Sequence, residues 1–200
     1  MSKEFFPDMT HRIFMIAGPN GAGKTTTALT FQPDLLRIYE WVNADEIARG
    51  LAPFHSESVA IAAGKLMIQR IKELLDAKKN FAFETTAAGI NYLKHLKKAH
   101  ELDYEISLMY LWLSNPNLAV KRVEHRVSNG GHHIPEEVVR RRFKAGMKNI
   151  IQHYLPIADT AIILDNSTDQ QKVIAKKSFE TGLRIEEELV WQELLRMSHA

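Results

Sequence analysis

Eight consecutive residues have the types and spacing of a phosphate-binding loop. Gly18-Pro19-Asn20-Gly21-Ala22-Gly23-Lys24-Thr25 matches the pattern G-x-x-x-x-G-K-[S/T]. Glycines at these positions let successive backbone N–H groups point toward one place, where they can bind a polyphosphate. The Lys24 ammonium would reach the β- and γ-phosphates, and the Thr25 hydroxyl would be a ligand of Mg²⁺. The motif therefore predicts a site for ATP or GTP with Mg²⁺. The predicted nucleotide-binding residues are Gly18, Asn20, Gly21, Ala22, Gly23, Lys24, Thr25 and Thr26.

An acidic residue after the second predicted strand could act on the acceptor of a phosphoryl group. Asp45 lies in Asn43-Ala44-Asp45-Glu46, and its carboxylate could take the proton from an acceptor hydroxyl. The alternative is that Asn43 or Asp45 only caps a short helix from Glu46 to Gly50. The sequence alone leaves both interpretations open.

A second acidic residue ends the third predicted strand. Glu84 could position the substrate or hold a Mg²⁺-bound water, whereas a solvated carboxylate at the end of the strand is the alternative. Thr85 and Thr86 follow it and could donate hydrogen bonds to the substrate. We therefore predict that these three residues contact the acceptor.

A basic segment carries the candidate arginines. Residues 121–148 contain eight basic and three acidic residues, whereas the formal charge of the whole chain is only +2. This distribution favours a local anion site over a surface that coats nucleic acid. Arg122 and Arg126 stand four residues apart on a predicted helix, so they share a face and are predicted to act on the transferred phosphate. Of Arg140, Arg141 and Arg142, only one or two can point the same way, and a solvated basic face is the alternative.

Strands that alternate with helices position these residues. Short runs of apolar or branched residues predict strands at Ile13–Ala17, Arg37–Asn43, Phe81–Phe83, Ile106–Leu113 and Thr160–Leu164. Helical spacing predicts a helix over Ser56–Lys79 with Ser56 as its N-cap, and further helices over Gly89–Glu101, from Asn115-Pro116 and over Pro135–His153. The alternation predicts an α/β P-loop NTPase fold, with a parallel sheet wound by helices on both faces. Ligands of such sheets bind at the carboxyl ends of the strands.

One domain is expected over residues 1–200, with two special regions. Residues 116–150 are predicted to form a lid, in which two antiparallel helices joined by Gly130-Gly131 bring arginines to the phosphate. Residues 170–200 are predicted to form a C-terminal extension. It would contain a hairpin of Lys172–Phe179 with Leu183–Glu187 and a final helix over Val190–Met197.

Composition excludes several classes of site. The chain has no cysteine, so disulfides, thiol nucleophiles and cysteine-bound metals are excluded. Its nine histidines include one adjacent pair, His132-His133, and no metal-ligand spacing, so no structural zinc is expected. The longest apolar run, Leu108–Leu113, is far below the roughly 18 residues of a membrane span. The first residues also lack the pattern of a secretory signal, so we expect a cytoplasmic protein.

Four motifs in this order resemble those of the zeta toxin family of P-loop kinases. They are Gly18 to Thr25, Asn43-Ala44-Asp45-Glu46, Phe83-Glu84-Thr85-Thr86, and Gly130-Gly131-His132-His133-Ile134-Pro135 followed by Arg140-Arg141-Arg142. The resemblance spans roughly residues 13–166. Members are kinases of bacterial toxin–antitoxin systems and their stand-alone relatives. The resemblance implies ATP- or GTP-dependent phosphorylation of the 3′-hydroxyl of the amino sugar in UDP-N-acetylglucosamine, and an antitoxin protein as a possible partner.

The resemblance also implies roles for single residues. The catalytic base of the family falls on Asp45, its substrate-side glutamate on Glu84, and one phosphate-binding arginine on Arg122 or Arg126. A second arginine of the family has no direct counterpart, because His132-His133 precedes the Ile-Pro turn here. We therefore keep His132 and Arg141 as candidate substrate contacts.

Two other functions fit the same residues. A kinase of this kind could act on another acceptor, such as an antibiotic, a nucleotide or the end of a nucleic acid. A nucleotide-controlled ATPase or binding module would need the phosphate-binding loop but no acceptor carboxylate, so its turnover would not depend on Asp45.

Overall fold

The described part of a computed structural model comprises residues 11–30, 38–128, 130–131 and 133–199. The predicted strand start at Arg37 and the candidate substrate contact His132 lie outside these residues.

A seven-stranded sheet forms the centre of the molecule. Its strands are β1 (His11–Ala17), β2 (Glu40–Val42), β3 (Phe81–Thr85), β4 (Tyr104–Trp112), β5 (Thr160–Asp165), β6 (Lys172–Ser178) and β7 (Gly182–Ile185). They lie in the order β2-β3-β1-β4-β5-β6-β7. The pairs among β1 to β5 are parallel, and β6 and β7 add an antiparallel hairpin to the β5 edge. The predicted parallel sheet and the predicted C-terminal hairpin are both confirmed.

Eight α-helices of the described chain connect and cover the strands. They are α1 (Lys24–Thr30), α2 (Ala44–Leu51), α3 (Ala60–Asp76), α4 (Leu93–His100), α5 (Pro116–Ser128), α6 (Glu136–Asn149), α7 (Leu155–Ile157) and α8 (Glu188–His199). A π-helical turn, Ile150–Tyr154, joins α6 to α7. Parallel crossovers are right-handed, so the one that leaves β1 for the β2 edge and those that run toward β5 place helices on opposite faces. None of these helices is long and apolar enough to pass through a bilayer.

The sheet brings the ends of β1, β2 and β3 together. Ile16, Phe83 and Leu111, on three different strands, are fully buried, as expected for a parallel sheet covered on both faces. Ala17, the last residue of β1, pairs with Thr85 at the end of β3. β1 lies between β3 and β4. After β1 the chain forms β2 and β3 on one side of it, and then β4 and β5 on the other side. The carboxyl end of β1 is therefore the topological switch point, where such folds bind ligands.

Two predicted helix starts are wrong. Ser56 lies in a 3₁₀ turn, Ser56–Val59, and α3 begins after it at Ala60, so Ser56 does not cap α3. The helix expected from Gly89 begins four residues later, at Leu93. The Gly89 carbonyl accepts a hydrogen bond from the Tyr154 hydroxyl (2.6 Å) in place of a helical one.

The two helices of the predicted lid pack on the core in this structure. The Asn115 Oδ1 accepts a hydrogen bond from the Leu118 N–H (2.9 Å), so α5 starts as predicted, with Pro116 in its first turn. α5 buries Ala119, Val120 and Val123. α6 buries a stripe formed by Val139, Phe143, Gly146 and Met147. Motion of these helices as a lid stays a prediction.

A buried carboxylate lies near the start of β4. Glu105 is fully buried, and its nearest opposite charge is Arg12 on β1, at 4.0 Å from Nε to Oε2. Burial raises the pKa of Glu105 above its ordinary value, and Arg12 only partly offsets this shift. The native state therefore holds a proton on Glu105 at pH values where the unfolded chain has released it. Linkage then requires that stability falls as the pH rises above about 4.5.

We expect Glu105→Gln to stabilise the protein at pH 8 by about 1 kcal/mol, because a neutral amide carries no cost of ionisation. The gain should shrink toward pH 5, because protonation of Glu105 removes the same cost. Denaturant unfolding of both proteins at the two pH values measures this difference. A variant that is less stable at both would show that the Arg12 ion pair outweighs the cost of burial.

Candidate active site

The phosphate-binding loop follows β1 and leads into α1, as predicted. The Gly18 N–H donates to the Thr85 carbonyl (3.2 Å), so the loop begins against the end of β3. The Ala22 N–H closes a turn on the Pro19 carbonyl (3.1 Å), and the Thr27 N–H starts α1 by donating to Gly23 (2.9 Å). The first turn of α1 therefore points its N–H groups toward the loop, which favours an anion there.

Two glycines of the loop adopt backbone conformations that residues with side chains rarely adopt. Gly21 and Gly23 have φ angles of +78° and +82°, which other residues rarely adopt. A Cβ atom at Gly21 would also lie 2.8 Å from the Ala119 carbonyl oxygen on α5. The loop is thus both turned and packed against α5, and a side chain at position 21 would disturb both features.

Lys24 folds back over the loop. Its Nζ donates to the carbonyls of Gly18 (2.9 Å) and Pro19 (3.1 Å). Burial lowers the pKa of Lys24 below its ordinary value, and the carboxylates of Glu84 and Asp45 act in the opposite direction. Both carboxylates therefore lie within electrostatic reach of this ammonium.

Glu84 is a buried carboxylate at the end of β3. It is only 6% exposed, so the alternative of a solvated strand end is excluded. Its Oε2 accepts a hydrogen bond from the Thr25 hydroxyl (3.0 Å), and its Oε1 makes no hydrogen bond within the described part of the chain. Burial raises the pKa of Glu84, and the Lys24 ammonium opposes this shift.

Asp45 lies in the first turn of α2. The cap of that helix is Asn43, whose Oδ1 accepts a hydrogen bond from the Asp45 N–H (2.8 Å). The Asp45 carboxylate is therefore not used as the cap, and its residue is exposed. Its charge also acts on Glu84, so the end of β2 places Asp45 near the end of β3.

Two arginines contribute positive charge that acts on Lys24 in the phosphate-binding loop. Burial is the main cause that lowers the pKa of Lys24, and the charges of Arg126 on α5 and Arg142 on α6 lower it further. The Gly131 N–H donates to the Arg126 carbonyl (2.9 Å), which folds the glycine turn back onto α5. Like charges that converge in this way create a site for an anion.

The three consecutive arginines of α6 have different surroundings. Arg140 donates to Glu136 and to Asn117, both at 2.7 Å, and Arg141 is exposed. Arg142 is half-buried and acts on Lys24. The contact that we predicted for Arg141 stays a prediction, and Arg142 is the arginine of this group whose charge acts on Lys24.

Arg122 binds the loop after β5 in this structure. Its guanidinium donates to the Asn166 carbonyl (2.8 Å) and to the Ser167 carbonyl (3.1 Å), in the loop after β5. This contact could not be expected from the sequence, because the two segments are more than forty residues apart. Arg122 is thus engaged with the β5 loop in this structure, and its role at the transferred phosphate stays a prediction.

Asn166 is a contact of the phosphate-binding loop that the sequence analysis missed. Its Nδ2 donates to the Ala22 carbonyl (2.7 Å), and the same atom is 3.0 Å from where a Cβ of Gly23 would stand. Its place just after β5, at the carboxyl edge of the sheet, is the signal that could have indicated it.

We expect Asn166→Ala to weaken nucleotide binding about fivefold, because one hydrogen bond that holds the loop is lost. The turnover at saturating ATP should not change, since the hydrogen bonds of Lys24 and Glu84 described above end on other residues. Calorimetric titration with ATP measures the effect. Ser167→Ala is the matched control, because the Ser167 hydroxyl accepts a hydrogen bond from Ser114 rather than from the loop (2.8 Å). Equal losses in both variants would contradict the prediction.

Thr85 and Thr86 lead away from Glu84. The Thr85 hydroxyl accepts a hydrogen bond from the Ala87 N–H (2.9 Å), so it already serves the turn that follows. The Thr86 carbonyl packs against the backbone of α6 at Gly146. Contacts of either hydroxyl with a substrate stay a prediction.

The residues present fit a magnesium ion that is bound mainly by the nucleotide. No group of three or more possible metal ligands occurs within the described ranges. The Thr25 hydroxyl lies beside the Glu84 carboxylate, whose Oε1 has no hydrogen bond there. Mg²⁺ is usually held by one or two protein oxygens together with substrate phosphates and waters, and this pair suits that role.

Comparison with known sequences identifies the family. The sequence model of the zeta toxin family matches residues 2–177. The chain belongs to the zeta toxin family. An uncharacterised protein of Haemophilus influenzae is 27% identical to it over 135 residues, which are 68% of this chain and 94% of that protein.

Solved structures show that this zeta toxin family member has the fold of P-loop kinases. A chain of the AvrRxo1-ORF1:-ORF2 complex crystallised with ATP matches with a TM-score of 0.76 and 16% identity, over 94% of this chain and 64% of that one. The chain thus spans less than two thirds of that relative. The PezAT toxin–antitoxin system of Streptococcus pneumoniae matches with a TM-score of 0.62 and 15% identity, over 98% of this chain and 88% of that one. A gluconokinase from Sinorhizobium meliloti matches with a TM-score of 0.52 and 10% identity, over 96% and 94% of the two chains.

Proposed function

We propose that the protein transfers the γ-phosphate of ATP or GTP to a hydroxyl group of a nucleotide sugar such as UDP-N-acetylglucosamine. One observation carries the proposal. Two carboxylates, Asp45 and Glu84, and two arginines, Arg126 and Arg142, all act electrostatically on Lys24 in the phosphate-binding loop. A site with a proton acceptor beside several phosphate-binding cations suits phosphoryl transfer to a hydroxyl.

Each group has a part in the reaction. The loop amides and Lys24 would hold the β- and γ-phosphates. Asp45 would remove the proton of the acceptor hydroxyl while that oxygen forms a bond to the γ-phosphorus and the bond from phosphorus to the bridging oxygen breaks. Arg126 and Arg142 would stabilise the charge on the transferred group. The products are a phosphorylated acceptor, the nucleoside diphosphate and a proton on Asp45.

Magnesium would be held by the Thr25 hydroxyl and the nucleotide phosphates. When bound, the ion supplies charge neutralisation on the β- and γ-phosphates. Glu84 would orient Thr25 through their hydrogen bond and would leave its other oxygen for a water or an acceptor hydroxyl.

The family and the similar structures support the partners that we propose. One of the similar structures was crystallised with ATP, and another is a toxin–antitoxin system. We therefore propose ATP as the donor, an antitoxin protein as a possible partner, and the cytoplasm as the location, where ATP and nucleotide sugars are available.

Label transfer tests the function directly. The pure protein is incubated with γ-labelled ATP, Mg²⁺ and single acceptors, which are UDP-N-acetylglucosamine, other UDP-sugars, an aminoglycoside, a nucleoside and a 5′-hydroxyl oligonucleotide. We expect label on UDP-N-acetylglucosamine. Label only on another acceptor would support kinase activity and contradict the proposed substrate. ATP hydrolysis without any transfer, and with no dependence on Asp45, would favour the nucleotide-controlled binding module.

A further inference from the structure

The segment after Glu84 is fixed to the helix that carries Arg142. This segment, residues 85–92, is called the strap here, and it comprises the last residue of β3 and the connection from β3 to α4. Ala87 at its centre is fully buried and has a φ angle of +54°, which is unusual for a residue with a side chain. Such a conformation persists only where the surroundings impose it.

Three contacts hold the strap against α6 and the π-helical turn. Gly146 approaches so closely that a Cβ atom there would overlap the Thr86 carbonyl oxygen. The Asn149 Nδ2 donates to the Ala87 carbonyl (2.9 Å). Farther along, the Tyr154 hydroxyl donates to the Gly89 carbonyl (2.6 Å).

Helix α6 also carries Arg142, whose positive charge acts on the candidate site. Arg142 lies one helical turn before Gly146 and two turns before Asn149, and it acts on Lys24 in the phosphate-binding loop. The strap starts directly after Glu84, which is bonded to Thr25 of that loop. The contacts of the strap with α6 thus join the segment that follows Glu84 to the helix that carries Arg142.

We propose that Asn149 is a positioning residue, whose hydrogen bond to Ala87 holds α6 so that Arg142 reaches the γ-phosphate. Asn149 itself touches neither nucleotide nor acceptor and acts only through Arg142. The proposal rests on the phosphate role that the proposed function gives to Arg142, and it is independent of which acceptor the enzyme uses.

The preference for ATP over ADP reports a contact with the γ-phosphate. Affinities for MgATP and MgADP are measured by calorimetry in the full chain. We expect Arg142→Met to lower the ratio of the two affinities about tenfold, and Asn149→Ala to lower it about fivefold. Asn149→Gln keeps the amide donor and should recover part of the loss.

A double-mutant cycle separates positioning from general loosening. If Asn149 acts through Arg142, adding Asn149→Ala to Arg142→Met should change the ratio no further. Tyr154→Phe is the matched control. It removes one hydrogen bond to the same strap, beyond the π-helical turn, and it should lower stability without changing the ratio.

The outcomes are distinguishable. An unchanged ratio in Asn149→Ala, with a lowered ratio in Arg142→Met, would overturn the role of Asn149 alone. Additive losses, or an equal loss in Tyr154→Phe, would overturn it as well. An unchanged ratio in Arg142→Met would overturn the role of Arg142 together with this inference, whereas failure of the proposed acceptor chemistry appears only in label transfer.

Discussion

Asp45→Asn should lower the rate of phosphoryl transfer about 10²- to 10⁴-fold, because an amide cannot take the proton of the acceptor hydroxyl. The affinity for ATP should stay equal or rise slightly, since the substitution removes a negative charge from the vicinity of Lys24. Initial rates of label transfer and calorimetric titration with ATP measure the two effects separately. The fold should be kept, because Asn43 caps α2 and the Asp45 side chain does not.

The neighbouring acid provides the control for this result. Glu46 is also exposed in the first turn of α2, but it pairs with Arg49 (3.1 Å) on its own helix. Glu46→Gln should therefore leave the rate of transfer unchanged. A normal rate of transfer in Asp45→Asn, with ATP still bound, would remove Asp45 from the chemistry and would require another group as the proton acceptor.

The parts of this site that could be predicted from the sequence depend on neighbours in the chain. The turn from β1 into α1 needs glycine at positions 21 and 23, and the motif shows both directly. Asp45 and Glu84 could be expected near each other because each follows a predicted strand, and parallel strands end at one edge of the sheet.

Which of the three arginines of α6 lies beside the packed core could be decided only once the buried face of the helix was known. Arg142 lies three residues after Val139 and four before Gly146, both of which are buried, so it borders the packed face. Arg140 borders the other side of this face, three residues before Phe143, and pairs with Glu136, whereas Arg141 is exposed. The sequence contains the apolar stripe of α6, but it does not show which arginine beside that stripe acts on Lys24.

Contacts between distant segments could not be predicted at all. The bonds of Arg122 to the loop after β5, and of Asn149 to the strap, join residues more than forty positions apart. Each of them ends on a backbone carbonyl, a group that every residue has. No residue type at the accepting position therefore marks such a contact in the sequence.

Arg142→Met should lower turnover about 10³-fold, the lower end of the range for arginines that stabilise a transferred phosphate, because Arg126 remains in place. Methionine keeps most of the apolar length of the side chain, so α6 should still pack through Val139 and Phe143. The loss should appear in kcat more than in KM for the acceptor, since the charge on the transferred group is greatest in the transition state.

The preceding residue is the matched control for Arg142. Arg141→Met removes the same charge from the same helix, so it changes the net charge and the long-range field equally. Because Arg141 is exposed, we expect less than a threefold change in turnover at physiological ionic strength, where charges beyond about 8 Å are largely screened. Equal losses in the two variants would show that the arginines act through the general basic field of α6. A larger loss in Arg141→Met would return the phosphate contact to Arg141 and would require α6 to turn about its axis when the nucleotide binds.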